Sequence, residues 1–256
     1  MLLTVAAAAE AAKTAVAILI DEVQYLSEVD FSALIVALHK AEQKGLPLIF
    51  FGAGLPQVAG LAGDAKSYTE RLFEFPEVGK LSRDAARSAI RTPVRREGAD
   101  ITDEALEMII KETEGYPYFL QEWGSKAWNA APSSPITPRD ARQATSDALE
   151  QLDHGFFRVR LDRLTSREKE YVRAMVELGP GPHRSGEIAK VLGMDVTSAG
   201  PLRNGIVSKG MIYSKQHGET DFTVPMFDAY MRRSMPDWKP TAPTRPPAKR
   251  GRKPGK

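Results

Sequence analysis

The sequence predicts an α/β segment near the amino end, followed by a chain that is mostly α-helical. Two apolar runs, 15–20 (AVAILI) and 46–51 (LPLIFF), flank a stretch whose apolar residues recur with helical spacing. From residue 81 onward the pattern is almost entirely helical, with a short hairpin near the end. At 42% apolar and 27% charged residues, the 256-residue chain can bury a sizeable core.

The α/β segment is predicted to be a strand, a helix and a second, parallel strand. Because both runs are apolar throughout, each strand is expected to be buried on both faces, as in a parallel sheet. Ser27 can cap the helix, over about 28–44, and Gly45 ends it. An Ala-rich helix over 3–13 and a third strand near Leu72–Val78 are also expected. The buried face of the central helix is predicted to hold Phe31, Leu34, Ile35, Leu38 and Ala41.

Four helices are predicted over residues 81–150, which read as a small helical domain. Ser82 begins the first helix, which is expected to stop near Pro93 because proline cannot donate a backbone hydrogen bond. Thr102 begins the second, which runs to Gly115. The third covers about 117–130, and Thr137 opens the fourth.

Residues 160–236 form the last folded part in this interpretation. Helices over 166–178, 185–192 and 197–209 are followed by strands Met211–Ser214 and Phe222–Val224. Three helices and a hairpin are typical of the winged form of the helix-turn-helix. The predicted domains are therefore 1–80, 81–150, 151–238 and 239–256. The residues expected to dock the helical domain against the last folded part are Phe156, Phe157, Val159 and Leu161.

Composition excludes several classes of protein. There is no cysteine, which excludes a disulfide framework, a thiolate zinc site and a cysteine nucleophile. The four histidines are scattered without metal-ligand spacing. The longest uncharged run, 45–63, is broken by Gly and Pro, so no membrane span is predicted. The amino end lacks the basic segment of a signal peptide, and a cytoplasmic location is expected.

The net charge of +2 hides two unlike parts of the chain. Residues 239–256 carry seven basic residues and no acidic one, together with five prolines, so this tail is expected to be disordered. The rest of the chain keeps 28 basic and 33 acidic residues, a net charge of −5. The body of the protein is therefore not a basic surface of the kind that coats nucleic acid.

The strongest chemical signal is the run Ile18–Glu22 (ILIDE). An apolar strand of a parallel sheet here delivers two carboxylates, Asp21 and Glu22, to the carboxyl edge, where ligands bind in such folds. In nucleotide hydrolases the first acid holds Mg²⁺ and the second orients the attacking water. A buried strand followed by Asp-Glu also occurs by chance, so the context decides.

Four segments occur in order ahead of the predicted winged helix: ILIDEVQYL, LPLIFFGAGLP, AGDAKSYTERLFEF and EGYPYFLQEWG. In this order the chain resembles bacterial and archaeal AAA+/STAND-type ATPases with an origin-recognition-like ATPase domain. The resemblance covers roughly residues 14–236. It implies a partial P-loop NTPase core, an all-α lid and a winged-helix domain, mostly α overall, with ATP and Mg²⁺ as cofactors.

The resemblance also implies roles for particular residues. Asp21 would be the acid on the Mg²⁺ side and Glu22 the catalytic base. Arg71 matches the position of an arginine finger, although a surface arginine at a helix end is an equal alternative. Gly115 and Pro117 match a lid motif whose proline packs near adenine, or simply a helix cap followed by a helix start. The second strand ends in Gly52-Ala53-Gly54, where the family commonly has Asn, Thr or Ser, so a side-chain sensor is not expected.

One family motif does not occur in this sequence. The P-loop pattern GxxxxGK[ST], which supplies backbone N–H groups and a lysine for the phosphates, is found nowhere in the 256 residues. Either the chain is truncated, which we favour, or another polypeptide supplies the missing half. We expect that the isolated chain does not hydrolyse ATP.

DNA is the other partner to consider. The basic tail resembles an AT-hook around Arg250 and Arg252, although Lys253 interrupts the match; the alternative is a solubilising tail with non-specific affinity. The interpretation favoured here is an ATP-driven switch whose winged helix transmits the nucleotide state. The alternative is a non-catalytic DNA-binding regulator or a protein-interaction module. If this part binds DNA, few basic residues would face the DNA groove. The predicted contact residues are Thr197, Ser198, Arg203, Asn204 and Lys209 of the third helix and Lys215 and His217 of the wing.

Overall fold

The structure is a computed structural model that describes residues 1–55, 58, 72–214 and 218–240. Its contacts divide the chain into two compact units, one built around residues 1–77 and the other around residues 78–212. No helix in the described ranges is both long and apolar enough to cross a membrane.

The first unit contains the predicted strand–helix–strand arrangement. Its strands pair in parallel, with Val16 opposite Leu48 and Ile20 opposite Gly52. The parallel βαβ prediction is therefore confirmed. In chain order the elements are α1 (Leu2–Ala11), β1 (Val16–Ile20), a 3-10 turn (Val23–Tyr25), α2 (Glu28–Gln43) and β2 (Leu48–Gly52).

Helix α2 covers one face of the two strands. The Ser27 hydroxyl accepts the Asp30 N–H at 3.1 Å, which caps the helix as predicted. The five residues predicted for its inner face are all buried, and four of them, Phe31, Leu34, Ile35 and Leu38, form the core of this unit together with Val23. Ile18 and Phe50 pack against that core from the strands.

The prediction that both strands are buried on both faces is wrong for the described residues. Burial alternates along each strand, and Leu19, Ile49 and Phe51 are 74%, 50% and 55% exposed. The reason is that α2 packs against one face only, so every second side chain points away from it. Leu19, Ile49 and Phe51 therefore lie on an apolar face of the sheet that none of the described elements covers.

The third predicted strand, Leu72–Val78, does not form either. Leu72 is helical, and residues 73–79 have no regular secondary structure. Phe73 instead packs edge-on against Phe50, with ring centroids 5.8 Å apart, and Pro76 lacks the N–H that a paired strand needs. Arg71 lies outside the described residues.

The second unit begins with the four predicted helices. Ser82 and Thr102 cap the first two by accepting backbone N–H groups at 3.3 and 3.2 Å, and Thr137 forms a capping box with Asp140. The first helix continues through Pro93, contrary to prediction, because Val94 extends its buried face into the last turn. The helices are α3 (Arg83–Arg96), α4 (Asp103–Thr113), α5 (Pro117–Ala130) and α6 (Pro138–Gln151).

The chain then passes through one turn of π-helix, Leu152–Phe157, into the last folded part. The three predicted helices of this part are present. Its sheet has the order β3-β5-β4, with β3 antiparallel to β5. The π turn, β3 and the final helix were not predicted, and the last strand begins three residues earlier than expected. The elements are α7 (Arg158–Asp162), α8 (Ser166–Glu177), β3 (His183–Arg184), α9 (Ser185–Val191), α10 (Val196–Ser208), β4 (Ile212–Tyr213), β5 (Glu219–Phe222) and α11 (Phe227–Ser234).

A single hydrophobic core runs through this unit from Ala86 to Met231. Phe157 lies at its middle, with ring centroids 6.1 Å from Phe119 and 5.2 Å from Tyr230. The predicted docking role of Phe157 is therefore confirmed. Val159 is 53% exposed and has no such role, because it lies on the outer side of α7.

Candidate functional site

The carboxyl end of β1 is held in place by backbone pairing with the segment after β2. Ala53 N–H donates to the Ile20 carbonyl at 2.9 Å, and Val23 N–H donates to the Ala53 carbonyl at 2.9 Å. The pairing therefore continues past the last residue of each strand. As a result, Gly52-Ala53-Gly54 lies beside Asp21 and Glu22 at one edge of the sheet.

Asp21 and Glu22 form a sharp turn at this edge. One Asp21 carboxylate oxygen accepts the Glu22 N–H at 2.8 Å, and Glu22 has a φ of +53°, in the left-handed region. A non-glycine residue in this region is uncommon and is often found at functional sites. Both carboxylates are exposed. The predicted site residues are thus adjacent, accessible and held by the backbone.

Gln24 holds the Glu22 side chain. Its Nε2 donates to the Glu22 carboxylate, and its Oε1 accepts the Leu55 N–H at 3.1 Å. A Cβ added at Gly54 would lie 2.6 Å from that Oε1, so a larger residue here would displace the Gln24 side chain. Gln24 was not predicted as a site residue; its position two residues after the Asp-Glu pair is the sequence signal that could have indicated this role.

The glycines after β2 serve packing and leave no side chain for a sensor. A Cβ at Gly52 would lie 2.9 Å from Cγ2 of Val23. The strand end is therefore built for tight packing against the 3-10 turn that follows Glu22.

The carboxylates fit Mg²⁺ only as part of a larger ligand set. Mg²⁺ is usually held by one or two carboxylates together with waters and substrate phosphates. Asp21 keeps one carboxylate oxygen outside its turn hydrogen bond. Within the described ranges, no group of three or more His, Cys, Asp or Glu side chains could hold a metal ion. Asp21 could thus supply one ligand of a nucleotide-bound Mg²⁺.

The lid motif lies in the second unit and has a local structural explanation. Glu114 and Gly115 have φ values of +51° and +74°, which end α4. The Gly115 carbonyl accepts the Leu81 N–H at 2.9 Å, and a Cβ on Gly115 would meet the Leu81 oxygen at 2.9 Å. Pro117 is the first residue of α5. Glycine and proline are explained here by the backbone, and a nucleotide role for them stays a prediction.

The residues predicted to contact DNA fall into two groups. Thr197, Ser198 and Asn204 are exposed on α10. In contrast, Arg203 Nε donates to the Thr220 hydroxyl at 3.0 Å, and Lys209 Nζ lies 2.6 Å from the Glu168 carboxylate. Arg203 of α10 and Lys209, which directly follows the helix, are thus each engaged by another side chain of the protein. Lys215, His217, Arg250 and Arg252 lie outside the described residues.

The Glu168–Lys209 pair is largely buried on the Glu168 side. Burial by itself would raise the pKa of Glu168, but the hydrogen bonds from Lys209 and from Thr165 lower it below its ordinary value. Glu168 also accepts the Thr165 N–H at 2.7 Å, as part of the capping box of α8. This carboxylate therefore joins the start of α8 to the end of α10.

The fold is similar to that of a solved ATPase. The Walker-type ATPase PABY2304 of Pyrococcus abyssi matches over 84% of this chain with a TM-score of 0.59 and 18% identity. The match shows a similarity of fold. It spans 63% of the length of that protein.

Other comparisons are more distant. The RuvB Holliday junction branch migration motor of Thermotoga maritima matches with a TM-score of 0.44 and 15% identity, over 88% of this chain and 80% of its own. Cdc6p from Pyrobaculum aerophilum matches with a TM-score of 0.41 and 14% identity, over 91% and 69%. A family model described as a domain of unknown function (DUF8462) matches residues 154–231. No curated protein sequence matches the chain.

Proposed function

We propose that this chain is the carboxyl-terminal portion of an AAA+/STAND-type ATP-binding switch. The observation that carries the proposal is the Asp21-Glu22 turn at the carboxyl end of a strand in a parallel βαβ unit, the edge where ligands bind in such sheets. The fold similarity to a Walker-type ATPase supports it.

Each carboxylate has a separate task in this proposal. Asp21 would hold a nucleotide-bound Mg²⁺, which when bound neutralises phosphate charge during phosphoryl transfer. Glu22 would orient the attacking water and accept its proton. Gln24 fixes one Glu22 oxygen and leaves the other outside its hydrogen bond. Gly115 and Pro117 would form the lid side of the nucleotide site.

The phosphate-binding loop would come from sequence outside this chain. Two observations support this part of the proposal. The chain spans 63% of the solved Walker-type ATPase. In addition, Leu19, Ile49 and Phe51 leave an apolar face on a parallel sheet, and such sheets are ordinarily covered on both faces. Further α/β elements in the whole protein would cover that face.

The test compares this chain with a version extended by the in-frame sequence upstream of Met1. The extended protein should contain GxxxxGK[ST] and turn over ATP with Mg²⁺, and Glu22→Gln should lower kcat by about 10²- to 10⁴-fold, the usual range for loss of a general base. Glu28→Gln, an exposed change at the start of α2, is the matched control. The present chain alone should show no turnover. If it hydrolyses ATP with Mg²⁺ and Glu22→Gln abolishes that activity, the proposal that its nucleotide site is incomplete is refuted.

The helices and hairpin of residues 160–236 are proposed to act as a winged helix that transmits the nucleotide state. A DNA-binding regulator is the second candidate. For that candidate the internal engagement of Arg203 and Lys209 favours the basic tail over α10 as the main phosphate contact. A protein-interaction role follows if neither element binds DNA.

A further inference from the structure

Arg160, on α7, is a half-buried arginine without a carboxylate partner among the described residues. Its guanidinium carbon lies 3.6 Å from the ring centroid of Phe156, and its Nη1 donates to the Phe156 carbonyl at 3.3 Å. By contrast, Arg87, Arg91 and Arg173 each pair with at least one carboxylate. Since a guanidinium carries five N–H donors, most of those on Arg160 remain available for a ligand.

The charge around Arg160 is not compensated within the described part of the chain. Burial lowers the pKa of its guanidinium, and the nearby cation Arg163 acts in the same direction. Asp162, which directly precedes Arg163 in the chain, already lies 3.8 Å from Arg158 and 3.9 Å from Lys169. Among the described residues, neither Arg160 nor Arg163, three positions apart, forms an ion pair with a carboxylate.

An aromatic surface adjoins these cations. The Tyr118 ring stacks on Phe156, with centroids 5.0 Å apart and planes inclined by 20°, and Tyr118 is 45% exposed. Tyr116 and Tyr118 both lie close enough to raise the pKa of the Arg160 guanidinium, against the effect of burial. A flat, accessible ring beside an unpaired guanidinium is the combination that stacks nucleic-acid bases and binds their phosphates.

We propose that Tyr118, Phe156, Arg160 and Arg163 form a nucleotide-binding site, with the base on Tyr118 and the phosphate on the two arginines. The site uses neither Asp21 nor Glu22, but Tyr118 directly follows Pro117, the lid-side residue of the proposed ATP site, so Arg160 and Arg163 are what distinguish it from that site. The ligand chemistry is an aromatic base carrying a phosphate. A free mononucleotide and one unit of a single-stranded nucleic acid both present it.

The experiment measures binding by the full chain in EDTA, which keeps the β1 carboxylates free of metal. The probes are AMP, a single-stranded oligothymidylate of about ten nucleotides, and inorganic phosphate. Arg160→Gln should weaken binding of AMP or of the oligonucleotide by about tenfold or more. Tyr118→Ala should weaken it by about fivefold or more, since base stacking on an aromatic ring has roughly that effect.

Arg158→Gln is the matched control. It removes the same charge from the same helix, so it should change binding by less than about twofold. The basic tail is present in every variant, and its contribution to oligonucleotide binding cancels in the comparison. Circular dichroism checks that each variant is folded, and Arg160→Lys, which keeps the charge but loses the planar fork, should restore only part of the affinity.

The two arms identify the source of the ligand. Weakened binding of the oligonucleotide with no AMP binding identifies a nucleic-acid strand, and weakened binding of AMP with no specific effect on the oligonucleotide identifies a free nucleotide. Equal effects of Arg160→Gln and Arg158→Gln in both arms overturn the proposal. So does equal binding of phosphate and AMP with no effect of Tyr118→Ala, because the site would then not recognise a base.

Discussion

Lys209 is the residue whose replacement best separates a structural role from a DNA-binding role. Its Nζ lies 2.6 Å from Glu168, whose side chain is 7% exposed. Lys209→Met keeps most of the side-chain volume but leaves this carboxylate without its cation. Breaking a buried pair by removing one partner costs about 3–5 kcal/mol. Lys209 is itself 31% exposed, and Glu168 keeps the Thr165 N–H, so we expect about 2 kcal/mol.

The assay is urea unfolding followed by tryptophan fluorescence. All three tryptophans, Trp123, Trp128 and Trp238, belong to the second unit, so the signal reports on the unit that contains the pair. Lys190→Met, an exposed lysine on α9, is the control and should change the free energy of unfolding by less than about 0.5 kcal/mol. A similar small change for Lys209→Met would refute the buried-pair reasoning and would leave Lys209 available for DNA.

The pH dependence gives an independent check on the same pair. Because the pKa of Glu168 is lower in the folded protein, its contribution to stability is present above the unfolded value, about 4.3, and is lost as pH falls below it. The free energy of unfolding of Lys209→Met should therefore fall less steeply than that of the unaltered protein as the pH is lowered through this range. An unchanged pH profile would contradict the assignment.

Three further changes test other parts of the structure. Gly115→Ala should lower the free energy of unfolding by about 1–3 kcal/mol, since it strains a φ of +74° and places Cβ 2.9 Å from the Leu81 oxygen; Gly124→Ala, which meets nothing within 4 Å, is its control. Phe157→Ala should cost about 3–5 kcal/mol in the same urea assay, against a small effect of Val159→Ala. Removing residues 241–256 should reduce the salt dependence of DNA binding sharply, and an unchanged salt slope would indicate that α10 makes the contacts.

The helices were predictable because each carries its own local signals. Ser27, Ser82 and Thr102 mark the first residues of their helices, and each accepts the expected backbone N–H. The position of Asp21 and Glu22 at the carboxyl end of β1 was predictable for the same reason, since an apolar strand and two acids are adjacent in sequence. These features need no knowledge of distant parts of the chain.

The features that were not predicted from the sequence depend on contacts between residues that are distant along the chain. Whether a strand is buried on one face or two is decided by what packs on it, and the apolar run at β1 cannot show that Leu19 stays exposed. The strand predicted near Leu72 does not form, and Phe73 packs instead against Phe50, a residue distant in sequence. Gln24 acquired its role through Leu55, 31 residues away.

The uninterrupted core from Ala86 to Met231 restricts how the second unit can move. Phe157 contacts Phe119 on one side and Tyr230 on the other, so turning one part against the other would expose rings that are now fully packed. We therefore expect the four-helix segment and the described part of the chain that follows it, up to Met231, to move as one rigid body.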